Sequence, residues 1–332
     1  MADRRTFVSY LAVGVCAVPL AALAQTPGKT VRVGILSSAA TPPAGDETSN
    51  VWVVALRKLG WVEGQNMVLE RRYSDGNADL LAGFARELVQ ANVDIIATFS
   101  STDAAAALRA TSVIPVVMVF NGLDPVQEGF VASFAKPGGN VTGVSRMLAE
   151  TRAKRLELIK ALLPSASRIA VLAWPEREPE KRTRFETALH RAARAVEVEL
   201  QFFYYKNQNE LAAAFPAMVG ARTQAFLLEP TFQTFANRDR IAETALKHRL
   251  PGVFTLAQYA AAGGLLSFGP DWSTMMKQHA RFVDRILRGA NPGDLPLEQP
   301  MRFELVVNLK TAKAIGLTIP QALLLRADEV IQ

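Results

Sequence analysis

Apolar runs of strand length alternate with helix-patterned segments along almost the whole chain. The first run is Val31-Arg32-Val33-Gly34-Ile35-Leu36, which ends in Ser37-Ser38. A helix follows over 47–59 with Gly60 as its terminator, then a strand over 68–73 and a helix over 80–91. Ile95-Ile96-Ala97-Thr98-Phe99 is again strand-like, and any of Ser100, Ser101 and Thr102 can cap the Ala-rich helix over 103–110. Pro115 stops that helix before the β-branched run Val116 to Phe120. Asn121-Gly122-Leu123-Asp124-Pro125 then turns the chain, and Pro125 suits the first position of a helix over 126–134. A turn at Pro137 to Asn140 leads to a short strand over 141–144. Strands and helices alternating at this spacing predict βα units and a parallel sheet.

The alternation restarts after about residue 145. Helices are expected over 150–163, 180–196, 210–219 (interrupted near Pro216), 237–248, 272–287 and 309–315. Strands are expected over 168–173, 197–203, 225–228, 253–255, 265–268 and 303–307, with a tail over 320–330. At 332 residues the chain exceeds the size at which one core usually keeps growing, so two similar α/β lobes are expected. In an open parallel sheet the loops at the carboxyl ends of the strands form the ligand crevice. Ser100–Thr102 and 120–124 therefore belong to one rim, and the restarted half supplies the other.

Composition narrows the function. The net charge is +6, but Lys and Arg are scattered among acids, with no basic block and no aromatic–basic interleaving, so a nucleic-acid partner has little support. Arg4-Arg5-Thr6-Phe7, the apolar run 8–20 and Ala22-Leu23-Ala24 before Gln25 read as a cleavable export signal over 1–24. The paired arginines suit a twin-arginine signal, although Asp3 replaces the usual hydroxyl residue; a general secretory signal is the alternative. The sole cysteine, Cys16, lies within this run, so neither a disulfide nor a thiol nucleophile is expected in the mature chain. Ser37-Ser38 stands where a dinucleotide site would need a glycine-rich turn, and there is no GxSxG or P-loop. His190, His248 and His279 are dispersed over helices, so neither a metal nor a cofactor is expected.

Each candidate site residue has a plain structural alternative. Ser101 and Thr102 open a helix, where exposed N–H groups suit a carboxylate but also need ordinary capping. Ser37 and Ser38 end the first strand on the same rim. Asp124 can meet a ligand ammonium or cap the turn before Pro125; Asn121 can bond a ligand or tolerate a strained turn. Phe120, Trp174, Phe232 and Phe254 lie at strand ends, where clefts are apolar and aromatic. Trp174 is the better ligand candidate of these and Phe254 the better core residue. Glu229 follows a strand of the second lobe, and Asp271 reads as a helix cap. The charged run from Glu176 to Glu186 reads as a solvated helix face or a docking surface.

Several stretches together resemble a known family. The tail FELVVNLKTAKAIGLTIPQALLLRADEVIQ (303–332), LDPVQEGFVASFAKPGGNVTGVS (123–145), AAGGLLSFGPD (261–271) and the 225–251 segment with Arg238, Ile241, Ala242 and Glu243 are similar to ABC-transporter substrate-binding proteins of the tryptophan and aromatic-amino-acid type. The resemblance implies a type I periplasmic binding fold, with two Rossmann-like lobes joined by a three-strand hinge. Lobe 1 would comprise 30–144 plus 265–295, and lobe 2 145–264 plus 296–332. The hinge would lie near 141–145, 263–268 and 295–302, with Gly143, Gly263 and Gly264 absorbing rotation. The implied protein is a periplasmic monomer that binds an amino acid, aromatic or otherwise, or an aromatic carboxylate. It would deliver this ligand to an ABC permease of the inner membrane. A sensor module presenting its closed form to a receptor is the second reading, and an exported enzyme the third. Relatives often carry an aspartate near position 229, which leaves the role of Glu229 open.

Overall fold

The computed structural model describes residues 30–41, 47–122, 124–175 and 178–332. The expected export signal and Cys16 lie outside the described residues, as does the start of the 176–186 run.

The first lobe is built by β1 (Val31–Ser37), α1 (Glu47–Lys58), β2 (Met67–Tyr73), α2 (Ala78–Gln90), β3 (Ile95–Thr98), α3 (Ser101–Ala110), β4 (Val116–Phe120) and β5 (Val141–Ser145). The strands run parallel in the order β2-β1-β3-β4-β5. A parallel sheet has both faces covered by helices, so its inner strands are apolar at successive positions rather than alternate ones. Val116 and Met118 pack with Leu81, Leu88 and Ala107 on one face. Val117 and Val119 pack with Trp52, Leu56, Met276 and Val283 on the other.

The chain then forms α4 (Leu148–Leu162), β6 (Arg168–Ala173), α5 (Pro179–Ala195), β7 (Glu199–Tyr204), α6 (Gln208–Gly220), β8 (Ala225–Leu228), α7 (Phe232–Ala236), α8 (Arg238–Lys247), β9 (Gly252–Phe254), α9 (Ala257–Ala261) and β10 (Leu266–Pro270). It continues with α10 (Trp272–Leu287), β11 (Phe303–Asn308), α11 (Leu309–Ile315), α12 (Gln321–Leu324) and β12 (Glu329–Ile331). The second sheet runs β12-β11-β10-β9-β8-β6-β7, with β10 and β11 antiparallel and the other pairs parallel. The protein is thus an α/β fold of two lobes, each with a largely parallel sheet.

Four expectations need correction. Residues 126–134 form successive turns rather than a helix: Gly129 sits at φ +75°, and the N–H groups of Phe130 and Val131 both donate to Pro125 O. α6 runs unbroken through Pro216, which lies on its exposed face, where water can take the freed carbonyl. The tail holds a strand, β12, that pairs with β11. Residues 266–270, assigned to lobe 1 from the sequence, pair with β9 and β11 in the second sheet, where Leu266 is fully buried; α10 and the segment after it to Leu295 return to the first lobe.

The chain passes between the sheets three times: from β5 to α4 through Arg146-Met147, from β10 to α10 through Asp271, and from α10 to β11 through 288–302. The crossings lie side by side. Ser145 N–H donates to Glu298 O at 2.8 Å, Glu298 N–H to Gly143 O at 2.9 Å, and Asp271 N–H to Arg302 O at 3.0 Å. Gly143 is required here: its φ is +145°, and a Cβ would stand 2.0 Å from Met118 O. Gly263 and Gly264 lie between α9 and β10, within the second lobe and away from any crossing.

Candidate functional site

The carboxyl ends of both sheets meet at the crossings, so the loops that follow the strands form two facing rims. They approach closely at one point. A Cβ on Gly76, in the loop after β2, would stand 2.7 Å from Gln233 Nε2 on α7 of the other lobe. A groove of about 640 Å³ between α1 and α10, lined by Val51, Val54, Lys58 and Lys277, lies on the outer side of the first lobe and is separate from this crevice.

On the first rim, Ser100 caps α3 by accepting from Asp103 N–H at 3.1 Å, and Asp103 accepts from Ser38 N–H at 2.8 Å. Burial lifts the Asp103 carboxyl to about 6 despite these donors. Ser101 and Asn121 are tied to each other: Ser101 N–H donates to Asn121 Oδ1 at 2.8 Å, and Asn121 N–H donates to Ser101 Oγ at 3.0 Å. Thr102 is exposed, Ser37 is buried with its Oγ accepting from Ala39 N–H, and Ser38 is half-buried. Asp124 Oδ1 takes the N–H groups of Val126 and Gln127, which is the turn-capping geometry. Phe120 is a correction: it is 1% exposed and packs edge-on against Phe130 inside the first lobe, because the fifth residue of β4 still faces the helix layer.

On the second rim, Trp174 is half-buried and meets Tyr205 edge-on at 5.6 Å between ring centres. Phe232 opens α7 and is half-buried, whereas Phe254 is fully buried core. Asp271 caps α10 by accepting from Thr274 N–H at 3.1 Å. Glu229 is buried within a cluster of arginines. Arg152 grips its Oε2 with Nε at 2.9 Å and Nη2 at 2.7 Å, and Arg155 Nη2 lies 3.6 Å from Oε1. Arg155 also donates to Leu228 O and Thr255 Oγ1, and burial pushes its guanidinium down to about 10.

Sequence reasoning missed the residues between the rims. Arg146, on the first crossing, is 7% exposed; its backbone N–H donates to Phe120 O at 2.8 Å. Its guanidinium is within electrostatic reach of Glu229, Arg152 and the Tyr259 phenol, and burial pushes it down to about 10. Its Nε and Nη2 have no hydrogen-bond partner among the described residues. Trp272, beside the second crossing, packs against the cores of both lobes, with its Nε1 also unpartnered. Tyr259 O–H donates to Thr234 Oγ1 at 2.9 Å, and burial raises its phenol. Tyr205 O–H lies beside Thr231 and Thr234 without a well-formed bond to either, and burial raises it to about 12. The available signal was position: Arg146 directly follows the fifth strand, at the crevice.

A crevice between two α/β lobes, with aromatic walls and buried polar atoms left open at the crossings, defines a two-lobed small-molecule-binding protein. Residues 35–331 match the model for ABC transporter substrate binding proteins, and the chain belongs to that family. It is 26% identical over 290 residues to a tyrosine-binding protein of Clostridioides difficile (strain R20291), covering 87% of this chain and 82% of the relative. A solved conserved domain protein from Vibrio cholerae O1 biovar El Tor superposes with a TM-score of 0.81 at 27% identity, over 91% of this chain and all of that one. The ABC domain in complex with L-Trp from Streptococcus pneumonia gives 0.79 at 24% identity, over the same shares. The fold is that of type I periplasmic binding proteins.

Proposed function

We propose that the chain is the extracytoplasmic solute-binding component of an ABC importer, holding an amino acid or an aromatic carboxylate in the inter-lobe crevice and performing no chemistry on it. The arrangement of Gly76 against Gln233, with open polar atoms between the lobes, carries the reading: closed rims enclose groups that need a partner. Ligand contacts from both rims favour the closed state over the open one. Trp174, Trp272, Phe232, Glu229, Ser38 and Ser101 are the wall residues of this reading, and lobe 1 and lobe 2 turn about the crossings. The tyrosine-binding relative and the L-Trp complex support the ligand class. The export signal read at residues 1–24 supports a periplasmic site of action beside a membrane permease. Among the described residues no helix is long and apolar enough to cross a membrane.

A thermal-shift screen of the chain from Gln25 onward, against amino acids and aromatic acids, tests this. A ligand at 100 times its Kd adds about 2.7 kcal/mol of stability, which raises Tm by about 5 °C in a chain of this size. Small-angle scattering on the same samples reads closure. A ligand that is chemically turned over, or a panel without any shift, overturns the reading.

A further inference from the structure

The free edge of Arg146 and the charges around it identify the ligand's polar end. Arg152 holds Glu229 through Nε and Nη2, the side of the guanidinium that presents two parallel N–H groups. Arg146 leaves that same edge unpartnered while 7% exposed, at the point where the chain passes from one lobe to the other. A planar two-donor edge matches a carboxylate, and its burial makes an ion pair there far stronger than one at the surface.

The surrounding charges go further. Among the described residues, Arg146, Arg152 and Arg155 place three positive charges at this end of the crevice against the negative charge of Glu229, whose Oε2 is gripped by Arg152 and whose Oε1, without a hydrogen bond, lies 3.6 Å from Arg155 Nη2. Three further carboxylates near the rims are engaged as well. Asp103 takes Ser38 N–H, Asp124 takes Val126 and Gln127 N–H, and Asp271 takes Thr274 N–H. An ammonium entering here meets an excess of like charge, whereas an anion relieves it.

We infer that the ligand is an organic acid without an α-ammonium group, its carboxylate docked side-on against Arg146 Nε and Nη2. This deepens the solute-binding reading and rests on it, since it chooses the acid over the amino acid within the same crevice. Trp272 and Trp174 supply flat walls for the acid's apolar part.

Matched pairs decide the matter: 3-phenylpropanoate against L-phenylalanine, 3-(4-hydroxyphenyl)propanoate against L-tyrosine, and benzoate, titrated by calorimetry into the chain from Gln25 onward. The acid of at least one pair is expected to bind at least tenfold more tightly than its amino acid. Arg146→Met is expected to weaken that acid at least about 30-fold, the ordinary loss on truncating one partner of a buried charge pair. Arg146→Lys, which keeps the charge but loses the fork, is expected to weaken it less. Without ligand, Arg146→Met is expected to melt at or above the wild-type temperature, because it removes a buried charge that has no partner. Amino acids binding as tightly as their acids overturn the inference and leave the solute-binding reading standing. So does an acid affinity that Arg146→Met leaves unchanged. Binding by neither class overturns both.

Discussion

Glu229→Gln tests the charge arrangement at the second rim. The substitution keeps size and one acceptor oxygen but removes the negative charge that Arg152 grips and that lies near Arg155 and Arg146. The relevant side chains are withdrawn from water: Arg152 is 8% exposed, Glu229 7% and Arg155 0%. Breaking a buried pair by removing one partner costs roughly 3–5 kcal/mol, because the surviving charge stays buried. The amide oxygen can still accept one Arg152 N–H, which places the expected loss near the lower end, about 3 kcal/mol. For a cooperative unit the size of one lobe, this lowers Tm by about 6–12 °C. Urea denaturation followed by far-ultraviolet circular dichroism measures it at pH 7. A double-mutant cycle pairs Glu229→Gln with Arg152→Met: removing both partners is expected to cost less than the sum, with a coupling of about 1–3 kcal/mol. A loss below about 1 kcal/mol, or strict additivity, refutes the assignment of Glu229 as the counter-ion and with it the excess of positive charge.

Two further outcomes follow from buried groups elsewhere. His279 is fully buried, with Trp52 Nε1–H donating to its Nδ1 at 2.9 Å and its Nε2 3.1 Å from Val117 O, and burial pushes it down to about 4. Its folded value lies below its unfolded value near 6.5, so its contribution is complete above that pH. It is lost as pH falls from 6.5 towards 4, by about 3 kcal/mol in all. Asp103, raised by burial, changes stability in the opposite sense over much of this range. The measurement is therefore the difference between wild type and His279→Asn in urea midpoint at pH 7 and pH 4.5: the gap is expected to narrow on acidification, and a constant gap refutes the account. Gly143→Ala places a Cβ 2.0 Å from Met118 O at φ +145° and is expected to part β5 from β4, costing more than about 3 kcal/mol or abolishing folding; an unchanged melting curve counts against it.

Legibility followed the range of the interaction. α10 was readable residue for residue, because Asp271 caps it and Met275, Met276, Val283 and Ile286 repeat on one buried face. The two-lobe alternation was readable for the same reason: each βα unit carries its own apolar period. The 126–134 segment misled because Pro125 imitates a helix start while Gly129, four residues on, prevents the helix. β12 was hidden because a short edge strand is defined by its partner β11, not by its own pattern. On the candidate site, position at strand ends put Ser38, Ser101, Asn121, Trp174 and Glu229 at the rims, but it could not show that Ser101 and Asn121 bind each other. Arg152 and Arg155 stand three apart on α4, a spacing that shares one helix face. In sequence a charged face reads as solvated; here it turns inward, because Glu229, 77 residues away from Arg152, supplies the counter-charge.

The position of Arg146 also separates two tasks within binding. A ligand shifts the open–closed equilibrium only through contacts whose strength differs between the two states. Arg146 lies on a crossing, its backbone bonded to Phe120 O and its neighbour Ser145 bonded to Glu298 O, which places it near the axis of the hinge motion proposed above. A carboxylate held there is held in both states, which raises affinity without favouring closure. On the proposed closure, the contacts made only on closing belong to the tips of the rims, where Gly76 approaches Gln233. Capture and switching therefore reside in different residues. Substitutions at Arg146 are expected to change affinity with the scattering difference between free and saturated protein preserved. Substitutions at Gln233 are expected to diminish that difference even at saturation.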